Sequence, residues 1–168
     1  MRLVLALGAL ALGSLIATES PTMQMDTNND LTQSLRREIE LRFEAQSAGL
    51  RAGSLPNDSP AFRIADDFEG AQFADHFPGG VFRGGKDQWI EGTRQAYRQM
   101  SPVFDRWAIH GLRVLPRSER EAVASYEVWI IPKDEAKPIP KALFLETYRL
   151  TRDGWLLVRH HAEKVSGR

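Results

Sequence analysis

Residues 107–165 hold four runs of strand-forming residues separated only by turns and one loop, and this block constrains the fold more than any other feature of the chain. The runs are 107–115, 121–131, 142–152 and 155–165. Strands joined by such connections pair antiparallel, because a parallel pair needs a long crossover. The last connection is Asp153-Gly154, which suits a two-residue turn with positive φ at both positions. The others are a turn at 116–120 and a loop at 132–140 with Pro132, Pro138 and Pro140.

The chain before this block is helical in period. Leu31, Leu35, Ile39 and Phe43 recur every fourth residue, on one helical face. Asp30 is the expected N-cap, with Gln33 completing a capping box, and Gly49 the expected terminator. Residues 51–60 read as loop and 61–68 as a short second helix. Strands at 73–77 and 81–83 flank Pro78-Gly79-Gly80, and 86–100 form a third helix with Trp89 and Tyr97 on one side. Helices early and strands late predict an α+β domain rather than a parallel α/β sheet. The sheet face away from the helices carries Trp and Val, and a second copy of the chain would cover it, so a homodimer is expected.

Charge and cysteine content narrow the function. The 168 residues carry 22 Lys and Arg against 22 Asp and Glu, with no cysteine. A neutral chain has no surplus cation to replace phosphate counterions, so nucleic acid is not an expected partner. Without cysteine there is no disulfide, no thiolate-bound zinc, no iron–sulfur cluster and no thiol nucleophile. No other metal-ligand spacing occurs. His160 and His161 are adjacent on a strand and point to opposite faces.

Residues 1–17 read MRLVLALGALALGSLIA. After Arg2 they are wholly apolar or small, and shorter than the roughly 20 residues of a bilayer span. They fit a secretory signal cleaved near Ala17 or Ser20, which implies a periplasmic or secreted protein with no stable membrane insertion after cleavage. An uncleaved N-terminal anchor is the alternative. Loss of Arg2 would leave the mature chain one charge negative. Residues 18–29 (TESPTMQMDTNN) read as a flexible leader, and 30–165 as the domain.

The element order, together with LETYRLTRDGWLLVRHHAEKV at 145–165, resembles the NTF2-like superfamily. More narrowly it is similar to SnoaL-like and DUF4440-type domains and to the association domain of calmodulin-dependent kinase II. Those domains end in Arg-x-x-Asp-Gly-x-Trp, a hydrophobic pair and His-x-His. Arg149, Arg152, Asp153, Gly154, Trp155, Leu157, Val158, His160 and His161 follow that pattern, with Arg159 where the first His often stands. The resemblance implies a cystatin-like cone, with a curved mixed or antiparallel sheet wrapped around three N-terminal helices and a mostly apolar pocket for a small molecule. It also implies chemistry, where present, by polar side chains in that pocket and without a cofactor.

A two-residue turn at Asp153-Gly154 pairs Arg152 with Trp155, Leu150 with Leu157, Tyr148 with Arg159 and Glu146 with His161. The resemblance implies that the Trp155 face is the inner one. Glu146, Tyr148, Arg159 and His161 then form one patch. There His161 is the expected base, Glu146 its partner, and Arg159 and Tyr148 the donors to a developing oxyanion. The same four groups would equally form a cross-strand ion pair that only fixes the sheet. Asp75, beside His76 near the cone mouth, is the second candidate acid–base residue. Asp66 and Asp67 read as helix-end carboxylates and His110 as a structural histidine. Tyr126, Trp129, Trp89, Phe82 and Phe144 are expected pocket wall. The functional readings are an isomerase, cyclase or dehydratase acting on a small apolar carbonyl compound, or a non-catalytic ligand-binding or dimerising domain.

Overall fold

The computed structural model describes residues 21–73, 81–134 and 137–165. The signal segment and the Asp75-His76 pair lie outside them. The elements are helix α1 (Pro21–Ala52), a 3-10 turn (Pro60–Phe62), strands β1 (Ile64–Phe73) and β2 (Val81–Gly84), helix α2 (Lys86–Met100), and strands β3 (Phe104–Ser118), β4 (Glu121–Pro132), β5 (Ile139–Thr151) and β6 (Gly154–Lys164). They form one six-stranded mixed sheet in the order β2-β1-β6-β5-β4-β3. β1 and β6 run parallel, and the other neighbours run antiparallel. The fold is α+β with two α-helices among the described residues, not the three expected.

Helix α1 is described from Pro21, so residues 21–29, expected to belong to a flexible leader, are helical. Once the packed part nucleates the helix, each added residue gains a hydrogen bond, so the polar turns extend outward without a core of their own. Asp30 therefore lies well inside the helix rather than capping it. The apolar face is as expected, with Leu35 and Ile39 fully buried, Phe43 buried and Leu31 packed beside them. Gly49 does not end the helix. Gly53, at φ 70°, does so four residues later, and a side chain at Gly49 would collide with Leu55.

The expected helix at 61–68 is a 3-10 turn followed by β1. Ser59 Oγ accepts from Ala61 N at 3.2 Å and ends the turn's demand for a partner. Ile64, Ala65 and Phe68 then enter the core from a strand that pairs with β6. Helix α2 keeps its expected bounds. Phe68 meets Trp89 edge-on at 5.4 Å, and Trp107 Nε1 donates to the Tyr97 hydroxyl at 3.1 Å, so both ends of α2 are pinned.

The last hairpin departs from the expected register in two steps. Thr151 pairs with Gly154, so the turn is Arg152-Asp153, with Gly154 at φ 104° and Thr151 Oγ1 accepting from Asp153 N at 3.2 Å. Trp155 therefore faces Leu150, and Leu157 faces Tyr148. The ladder then slips. Glu146 pairs with His160 and Thr147 with Arg159, leaving Val158 as an extra residue. Leu157 and Val158 are both buried, and the alternation resumes inverted, with His160 and Ala162 inside and Arg159 and His161 outside. A one-residue bulge exchanges the faces of everything beyond it.

Candidate active site

Five side chains from four elements meet between α1 and the inner face of the sheet. Arg42 stands three residues after Ile39 and seven after Leu35, which places a cation on the apolar face of α1. β4 contributes Tyr126, β5 contributes Glu146 and Tyr148, and β6 contributes His160. All five are buried, Glu146 to 1% exposure.

Glu146 organises the group. Its Oε2 accepts from Arg42 Nη2 at 2.7 Å, from the Tyr148 hydroxyl at 2.5 Å and from the Tyr126 hydroxyl. Its Oε1 accepts from His160 Nδ1 at 2.8 Å. Arg42 Nη2 also donates to the Tyr126 oxygen. Three of the four donors converge on Oε2 and one on Oε1, so Oε2 is crowded while Oε1 keeps room for one further donor. Burial alone would push the Glu146 carboxyl up, but the Arg42 guanidinium and the His160 hydrogen bond overcome it and hold it well below the usual carboxylate range. Burial would lower Arg42, and Glu146 more than reverses that. Burial, the largest cause, raises both tyrosines well above their ordinary value, so their hydroxyls stay protonated donors.

This fixes how the imidazole is presented. An ionised carboxylate only accepts, so His160 Nδ1 donates, and in a neutral ring Nε2 would carry the lone pair. Nε2 is buried and, like Arg42 Nε, has no hydrogen-bond partner among the described residues. The ring sits between Trp89, with centroids 4.6 Å apart, and Phe144 at 4.5 Å. His160, Glu146 and Arg42 line the polar end of a cavity of about 710 Å³, whose walls include Phe43, Trp89, Trp107 and Phe144. Among the described residues no three His, Cys, Asp or Glu side chains cluster in the manner of a metal site.

The expected residues divide into two sets. Glu146, Tyr148, Tyr126 and Trp89 join His160 in or beside the cavity. His161, the expected base, is instead on the outer face, with Nε2 3.1 Å from Glu163 Oε1. Arg159, the expected oxyanion donor, is also outside, with Nη1 donating to the Asp67 carbonyl at 2.7 Å and Nε 3.4 Å from Glu69. The Val158 bulge is the reason for both. Trp129 is not pocket wall. It sits three residues from Tyr126, on the opposite face of β4, where its Nε1 donates to Glu127 at 3.2 Å and its ring meets His110. Asp66 pairs with Lys86 and Asp67 with Arg149 at the surface. Asp75 lies outside the described residues. Arg42 and His160 are the members that sequence reasoning passed over.

No protein-family model matches the sequence, and no curated protein does. Solved structures do match. An NTF2-like protein of unknown function from Pseudomonas putida aligns with a TM-score of 0.61 at 16% identity, over 80% of this chain and 87% of that one. An NTF2-like protein with a cystatin-like fold from Novosphingobium aromaticivorans aligns with a TM-score of 0.58 at 15% identity, over 90% and 94%. A provisionally assigned scytalone dehydratase from the same organism aligns with a TM-score of 0.59 at 13% identity, over 84% and 89%. At these identities the likeness is one of fold, and the fold is NTF2-like.

Proposed function

We propose that the cavity binds a small, mostly apolar molecule carrying a hydroxyl or carbonyl oxygen, and that His160 exchanges a proton with it as a general acid–base. The observation that carries this reading is His160, a cavity-lining residue whose buried Nε2 has no hydrogen-bond partner among the described residues, while Nδ1 is held by Glu146. A buried acceptor left unmade is unfavourable, and a ligand donor would satisfy it. Glu146 acts as a positioning residue, because it is fully buried and is held by four protein donors, one of them His160 Nδ1. The reaction class is isomerase, cyclase or dehydratase chemistry, and a structural neighbour described as a dehydratase is compatible with it.

The second reading is a binding domain without turnover, favoured by the four protein donors that already hold Glu146. One experiment separates the two. Melting temperature is followed against a panel of neutral aromatic alcohols and cyclic ketones, and a shift is expected in wild type. Deuterium uptake next to the carbonyl of bound 1-tetralone is then followed by NMR in D2O. Exchange in wild type and none in His160→Phe supports the catalytic reading. Binding without exchange leaves the binding domain, and no shift across the panel sinks both.

We further propose that the chain is exported through residues 1–17 and that two copies pair through the outer face of the sheet. Leu115, Leu143 and Leu145 are exposed there at 65%, 44% and 50%, and a second copy would bury them. Light scattering on wild type and on Leu145→Glu tests the dimer, and the N-terminal mass of the exported protein tests cleavage.

A further inference from the structure

We propose that Gly92 sets the aperture of the cavity, so that ligands enter across the Gly92–Gln95–Gln99 flank of α2 and are sorted there by width. This rests on the reading of the cavity as a ligand site. Residues that both line the cavity and are exposed to solvent mark its mouth. Gly92, Gln95 and Gln99 do both, and the spacing i, i+3, i+7 puts them on one flank of the helix. The other described residues that line the cavity are buried or half-buried.

Gly92 has no other structural reason to be glycine. It lies in the middle of a 15-residue helix, where glycine weakens the helix relative to alanine. A Cβ built on it meets nothing within 4 Å among the described residues, so no close approach of another element excludes a side chain. Its φ is not in the left-handed region. What glycine leaves is space at the mouth, and inside is His160, a lining residue 5% exposed whose Nε2 has no hydrogen-bond partner among the described residues, an unmade bond that itself points to a ligand.

The chemistry of the flank agrees with an uncharged ligand. Gln95 and Gln99 offer neutral amides. The charged residues interleaved with them are engaged elsewhere: Arg98 with Glu91 at 3.5 Å, and Arg94 with Asn57 at 2.5 Å. A polar but uncharged rim lets a molecule with one oxygen pass without stripping an ion of its water.

The test uses the full chain, with phenol and 1-naphthol as narrow and wide probes, and stopped-flow fluorescence of Trp89 and Trp107 as the readout. Gly92→Ala is expected to melt higher than wild type and to bind both probes, which shows that the helix is intact. Gly92→Leu is expected to slow association of 1-naphthol by about tenfold or more while phenol stays within about twofold. Equal rates for both probes, or equal slowing of both, overturns the aperture but leaves the ligand cavity standing. Failure of wild type to bind either probe overturns the cavity reading and the aperture with it. If Gly92→Leu loses cooperative unfolding, Gly92→Met carries the same comparison.

Discussion

His160 Nδ1 donates to Glu146 Oε1 at 2.8 Å across the β5–β6 pair, and this bond decides which face of the imidazole is available for chemistry. The other oxygen of the same carboxylate is taken by Arg42, Tyr126 and Tyr148. A ring oriented by a buried ionised carboxylate keeps its Nδ1 proton, and its Nε2 is left without a hydrogen-bond partner among the described residues.

Replacing Glu146 with Gln should be severely destabilising. Glutamine keeps the shape but leaves the Arg42 charge buried without its counter-ion, a change that costs about 3–5 kcal/mol when one partner of a buried pair is removed. Urea denaturation measures it. A midpoint within error of wild type would mean that Arg42 is solvated.

Stability should fall in acid. Glu146 titrates below its ordinary 4.5 in the folded chain, so the unfolded chain takes up that proton first as pH drops. The contribution is fully present above the unfolded value and is lost as pH falls towards the folded one. Unfolding free energy measured between about pH 7 and about pH 3 should decline in wild type. The decline should be shallower in Glu146→Gln.

His160 and His161 should behave oppositely. His161→Ala removes an exposed ring and should change stability by less than about 0.5 kcal/mol, with no change in 1-naphthol affinity. His160→Ala removes a buried ring bonded to Glu146 and should weaken 1-naphthol binding by about three- to tenfold, the worth of one hydrogen bond. Equal effects from the two variants would place the bulge elsewhere than Val158.

Gly154→Ala should destabilise the last hairpin. Gly154 sits at φ 104°, and an added Cβ meets the Arg63 guanidinium, which itself donates to the Asp153 carbonyl. A residue forced into that region costs about 1–3 kcal/mol, read as a lower melting temperature.

Much of this was legible beforehand, and the misses have physical causes. The strand block and α2 announce themselves through alternation and helical spacing, and Glu146 with Tyr148 fall on the expected inner face. Tyr126 and Trp129 were both expected in the pocket wall, although strand parity would have separated them, since residues an odd number apart on a strand face opposite ways. Arg42 was visible as a cation on an apolar helical stripe. Val158 was not visible in this way. It is one more apolar residue in Leu156-Leu157-Val158, and its status as an extra residue depends on strands β1 and β5 on either side. The helicity of residues 21–29 was hidden for a similar reason, because a polar segment takes the helix from its packed continuation rather than from its own sequence.

The Arg42–Glu146 bond spans 104 positions of the chain. Closing a loop of that length is paid for before the contact returns anything. Arg42 gains its counter-ion only when β5, near the end of the chain, packs against α1. A chain cut before β5 would carry that cation on the apolar face of the helix with nothing to pair it.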